Sequence, residues 1–109
     1  MQPNSTPFRV HFYLTASRVK PRRKKAVCYA QTNATLWFNV PHMSPVSLDI
    51  YDVQGRLVKT LLRGKPFEGI NKVHWNLTNS AGAKVPKGVY FYRFTAGLDR
   101  DSGKIVVIR

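Results

Sequence analysis

The first 48 residues of this 109-residue chain contain no aspartate or glutamate, and the whole chain has five acidic side chains against 18 lysines and arginines. An acidic shortage of this size excludes a carboxylate-rich cation site and points any electrostatic partner toward negative charge. Cysteine is nearly absent as well. Cys28 is the only one, so no internal disulfide forms, and its setting between Val27 and Tyr29 reads as an inert packed thiol. No apolar run approaches the ~18 residues of a membrane-spanning helix. The first 25 residues lack an apolar core segment, which leaves no signal peptide in this chain. No stretch holds a 3.6-residue hydrophobic period, so helices are not expected.

Catalytic and metal-binding patterns are also missing. His11, His42 and His74 lie far apart, with no second ligand at zinc spacing. Asp49 and Asp52 stand three apart on a strand and its turn, a poor arrangement for a glycosidase pair. Asp99-Arg-Asp-Ser-Gly103 faintly suggests a calcium loop, but it lacks a third acidic ligand and a closing glutamate and reads as a turn. Ser44, Ser47 and Ser80 have no nucleophile-elbow context, and no glycine-rich phosphate loop occurs. No enzyme activity, metal or cofactor is expected.

What is present begins with charge. The formal net charge is +13, and seven of the basic residues fall within the acid-free first 48 positions. Arg18, Lys20, Arg22, Arg23, Lys24 and Lys25 form a basic segment around Pro21. It reads as a solvated loop, with contact to an anionic envelope surface as its functional alternative. A nucleic-acid footprint would bring exposed aromatics or a groove-entering helix, and neither accompanies it.

Alternation supplies the fold. The strongest strand signal is Val89 to Ala96, introduced by Pro86-Lys87-Gly88. Period two sends Tyr90, Tyr92, Phe94 and Ala96 to one face and Val89, Phe91, Arg93 and Thr95 to the other. The charge-free face belongs in the core, where each large side chain contributes roughly 1.5–3 kcal/mol. Further strands are read at Phe8 to Ala16, Ala26 to Gln31, Thr35 to Val40, Val46 to Asp52, Arg56 to Leu62, Asn71 to Leu77 and Lys104 to Arg109. The first two are expected to pair as a hairpin. Pro41 to Pro45 reads as a turn, Gln54-Gly55 as a tight turn, and Gly64 to Gly69 as a loop. The predicted core is Leu36, Phe38, Val40, Val46, Leu48, Ile50, Val73, Trp75, Tyr90, Tyr92, Phe94 and part of Ile105 to Ile108. Trp37 falls on an outward face, for edge packing or an inter-domain contact, or for a carbohydrate or partner surface. Short strands with turn signals every eight to twelve residues predict an all-β, antiparallel sandwich.

Four ordered motifs carry a resemblance. They are Val46 to Leu61 with its Tyr51-Asp52-Val-Gln-Gly55-Arg56 hairpin, Gly69 to Trp75, Asn79 to Phe94 with its Ala81-Gly82 loop and Gly88-Val89-Tyr90, and the closing Lys104 to Arg109. Together, over about residues 34–109, they resemble the Ig-like domain of the flagellar hook-capping protein FlgD, a family that overlaps with the C-terminal sorting domain of type IX secretion cargo. Residues 1–33 stand apart as a basic extension, either a β-hairpin or the remnant of a preceding domain.

The resemblance implies an Ig/fibronectin type III-like β-sandwich acting as a non-catalytic module of an exported or cell-surface bacterial protein, as part of a larger precursor. It would serve in sorting or anchoring, or as a structural interaction domain, with the secretion machinery or neighbouring domains as partners. For sorting, the candidate residues are Gly88, Val89 and Tyr90 and the terminal strand Lys104, Ile105, Val106, Val107, Ile108 and Arg109, on the argument that exposed edge strands are recognition templates. The alternatives are a hook-cap-type assembly module and, from a different class, a basic nucleic-acid-binding β domain.

Overall fold

The computed structural model describes residues 11–15 and 27–108. The basic segment 18–25, Arg109 and the side chain of Cys28 lie outside the described residues. Six strands follow in order: β1 (His11–Thr15), β2 (Val27–Ala30), β3 (Ala34–Asp52), β4 (Leu57–Trp75), β5 (Gly88–Ala96) and β6 (Asp99–Val107). There is no helix among the described residues, as the missing 3.6 period predicted.

β3 is the trunk. Its first half pairs with β1 on one side and the end of β4 on the other. Its second half pairs with β5 and the beginning of β4. The hydrogen-bonded path therefore runs β1-β3-β5-β6-β2, with β4 alongside β3. Ring contacts show that this path folds back over a shared core. Phe38, in the first half of β3, meets Phe94 of β5 at 5.1 Å and Phe67 of β4 at 5.2 Å, the latter edge-on at 89°. Trp75, at the end of β4, meets Tyr90 at the start of β5 at 5.6 Å.

The fold-over explains where the sequence reading departs from the structure. Pro41 to Pro45 is no turn, and Gly64 to Gly69 is no loop. Each lies inside one 19-residue strand. Pairing breaks register between Val40 and Ser44 and resumes with Ser44 opposite Phe67 and Pro45 opposite Pro66. Proline lacks the N–H a regular ladder needs; Pro41 falls within the break and Pro45 and Pro66 lie just beyond it, and such bulges let a strand bend.

Two further corrections concern β6 and β2. Asp99 to Gly103 is strand, paired with Tyr92 to Ala96, and only Gly97 and Leu98 form the turn. β2 does not form a hairpin with β1. It pairs in parallel with β6, Val27 opposite Lys104 through Ala30 opposite Val107, so the sheet is mixed rather than purely antiparallel.

Alternation located the core correctly. Leu36, Phe38, Val40, Val46, Leu48, Ile50, Trp75, Tyr90, Tyr92, Phe94, Ile105 and Val107 are all buried. Val73 is half-buried, packed against the core from β4. Gly103 faces the Tyr92 ring across the β5–β6 ladder, where a Cβ would lie 2.5 Å from Cε2. A hydrogen is therefore the largest group that fits there. Burial, followed by the charge of Asp101, pushes the Tyr92 hydroxyl well above the usual tyrosine range.

Candidate functional site

Three local structures converge at one end of the fold. The first is the β3–β4 turn. Oδ1 of Asp52 accepts the backbone N–H groups of Gln54 and Arg56, each at 2.9 Å, and Oδ2 accepts from Nε of Arg56 at 3.0 Å. Gly55 takes a φ of +82°, the region a side chain disfavours, and its N–H donates to the Asp52 carbonyl. Tyr-Asp, two residues, Gly-Arg is thus a self-contained turn: the acid caps it, the glycine reverses it, and the arginine pairs with the acid. These hydrogen bonds, led by the Arg56 backbone N–H, hold the Asp52 carboxyl below its ordinary value.

The second is the loop between β4 and β5. Leu77 has a φ of +62° and is fully buried, so the turned backbone drives its side chain inward. Its carbonyl accepts the Val85 N–H at 2.8 Å. The Trp75 indole donates to the Thr78 carbonyl at 2.8 Å. Asn79 caps the next turn, its Oδ1 accepting from Ala81 and Ala83 at 3.0 Å each. Ser80 then docks this loop on β4, its N–H and its hydroxyl both donating to the Val58 carbonyl.

The third is the approach to β5. The Tyr90 hydroxyl donates to the Pro86 carbonyl at 2.7 Å. This bond back to the backbone four residues upstream is the tyrosine corner of Ig-type sandwiches. It aims Pro86, Lys87 and Gly88 along the rim.

Between them lies a cleft of about 750 Å³. Val58, Val85 and Tyr90 give it an apolar floor; Arg56 and Lys87 stand on its walls. Asp52, its one acidic group, is already paired with Arg56. Cations over an apolar floor suit an extended segment carrying a negative group. No trio of His, Cys, Asp or Glu able to hold a metal occurs among the described residues.

The residues singled out for sorting are brought together. Gly88, Val89 and Tyr90 pair with Val107, Val106 and Ile105, and Phe91 pairs with Lys104. Gly88, Val89 and Tyr90 also line the cleft. The pairing narrows the edge-strand argument. β5 lies between β3 and β6, and β2 covers β6 along Lys104–Val107, so that stretch offers no free ladder, while Gly88 and Val89 extend past the pairing with β3. Ile108 continues the covered side, donating its N–H to the Ala30 carbonyl at 2.9 Å. On the side of this ladder away from the core stand Val89, Phe91, Lys104 and Val106. Tyr90, Ile105 and Val107 are core. Asp52, Arg56, Asn79 and Ser80 were visible in the motifs yet not assigned to a site. Their convergence depends on Ser80 meeting Val58, a contact 22 residues apart in sequence.

Among the described residues, no helix is long and apolar enough to cross a membrane. No curated protein matches the chain. Among solved structures, it is similar to dimeric latent PorU from Porphyromonas gingivalis, with a TM-score of 0.64 and 22% identity. That likeness covers 94% of this chain and 10% of PorU, and at this identity it speaks to the fold. Residues 28–100 match the model of the FlgD Ig-like domain. The capped Asp52 turn, the Asn79 loop and the tyrosine corner all fall within that match, and the chain belongs to the FlgD Ig-like domain family.

Proposed function

We propose that the chain is a non-catalytic interaction module of an exported or surface-associated bacterial protein, serving in sorting or anchoring within a larger precursor. The observation that carries this reading is the pairing of the start of β5 with the end of β6. It puts Val89, Phe91, Lys104 and Val106 on one outward face beside the cleft, with exposed Tyr29 opposite Val106. An apolar patch with one cation suits a protein partner, either the secretion machinery or a neighbouring domain of the parent protein. The coverage of a tenth of PorU supports a module within a longer chain. The non-catalytic reading is supported by the use of the nearest acids: Asp52 caps its turn, and Asp49 accepts from Thr60 at 2.7 Å.

The test is export. The whole chain is fused to the C-terminus of a reporter in a bacterium with type IX secretion. A parallel fusion carries Phe91→Ser and Lys104→Glu, which alter the face and leave the core intact. Reporter outside the cell with the native face, and retained with the altered one, is the expected result. Retention of both, with the module folded, would overturn sorting in that host. Equal export of both would remove this face from the recognition.

A further inference from the structure

We infer that the outward face of the β5–β6 hairpin holds a binding site for a tetrahedral oxyanion, a phosphate or sulfate group, between Arg93 and Arg100. A shallow cavity of about 600 Å³ lies there, lined by Arg93, Thr95, Arg100, Asp101 and Ser102. Register builds it. Arg93 stands opposite Ser102 and Thr95 opposite Arg100. Alternation sends these four side chains outward, while Tyr92, Phe94 and Ala96 go to the core. Two guanidinium groups thus stand diagonally across one ladder, with a hydroxyl beside each.

Neither Arg93 nor Arg100 is in an ion pair among the described residues. The Arg93 guanidinium lies 5.0 Å from the Tyr51 ring, which holds the group along the sheet. Asp49, opposite Arg93 on β3, is engaged by the Thr60 hydroxyl. Asp101, opposite buried Phe94, also borders the cavity, and its Oδ1 is turned to the backbone, accepting the Ser102 N–H at 2.8 Å. Lys104 continues the same column of cations toward Phe91. The Thr95 and Ser102 hydroxyls make no hydrogen bond among the described residues.

Like charges this close on one face repel, and the arrangement gains stability when an anion is shared between them. The guanidinium fork matches the paired oxygens of phosphate or sulfate, and charge-assisted bonds of this kind are about twice as strong as neutral ones. The two hydroxyls supply the remaining donors. The site lies apart from the Asp52–Tyr90 cleft and does not depend on the sorting reading.

The test is a titration of the full chain with inorganic phosphate, followed by amide NMR and balanced with chloride to constant ionic strength. Saturating shifts at Arg93, Thr95, Arg100 and Ser102 are expected. The Arg93→Gln/Arg100→Gln variant should bind about tenfold more weakly or worse. An Arg63→Gln/Lys84→Gln control of equal charge should bind as the native chain does. All four positions are exposed, and spectral dispersion checks that each variant is folded. Shifts that rise without saturating, or that fall equally in the control, would overturn the site. Glucose 6-phosphate and phosphatidylcholine vesicles doped with phosphatidic acid then distinguish the sources. Competition by the sugar alone assigns a soluble phosphomonoester, and vesicle retention that only the Arg93/Arg100 variant loses assigns a headgroup.

Discussion

The two hairpins of this protein solve opposite problems. β3 and β4 are each 19 residues long, and their pairing breaks register in four places. β5 and β6 are each nine residues long and pair without a break from Gly88–Val107 to Ala96–Asp99. The long hairpin must bend so that Phe38 in the first half of β3 reaches Phe94 of β5, and its interrupted register lets it do so. The short one pairs in unbroken register, so its alternation is undisturbed. That regularity stacks Arg93, Arg100 and Lys104 outside while Tyr92, Phe94 and Ile105 fill the core. Bending positions the core; straightness organises a surface.

The largest expected effect comes where the two hairpins meet. Phe38 is fully buried between Phe67 of the bent hairpin and Phe94 of the straight one. Phe38→Ala should cost about 3–5 kcal/mol in urea unfolding, a large part of a small domain's total stability. A loss below about 1 kcal/mol would mean the layers do not share this contact.

Next is the straight hairpin alone. In Gly103→Ala the new Cβ meets the Tyr92 ring, and the rigid ring cannot turn aside within the core. A loss of about 1–3 kcal/mol is expected, read as a shift in the denaturation midpoint with unchanged slope. Unaltered stability would place the ring elsewhere.

Tyr90→Phe removes the hydroxyl that donates to the Pro86 carbonyl and keeps the ring. The expected loss is about 0.5–1.5 kcal/mol, smaller than either packing change. A neutral result would show that the approach to β5 is held without the corner.

The smallest effect belongs to the exposed β3–β4 turn. Asp52 titrates below its ordinary 3.8 in the folded chain, so the unfolded chain binds its proton more tightly. Its stabilising contribution is complete above that ordinary value and is lost as pH falls through the lower folded one. Solvent screening keeps it small. Melting temperatures of the native chain and Asp52→Asn should therefore converge on acidification. A constant gap would assign the difference to something other than this ionisation.

Much of this was legible in the residues. Alternation alone named most of the core, because every second side chain of a half-buried strand must avoid water. It erred at breakers. Pro41, Pro45, Gly64, Pro66 and Gly69 mark both turns and bulges, and local chemistry does not distinguish a chain that reverses from one that bends and continues. Asp99 to Gly103 misled for a related reason: polar residues suggested a loop, but they form a strand in which Arg100 and Ser102 face outward and Gly103 accommodates Tyr92. Val85 and Ala30 escaped notice because their burial comes from loop docking and from the β2–β6 pairing, not from a periodic pattern.

By itself, then, the sequence determined the all-β class, the inward faces of the strands and the tight turn at Gln54-Gly55. Each follows from interactions among residues a few positions apart. Tertiary structure alone decided that β2 covers the edge of β6, that Ser80 closes the cleft against Val58, and that Arg93 and Arg100 share one outward face. Those relations depend on strand order and register, which are set by the global competition to bury apolar faces and pair backbone groups, and no local pattern encodes them.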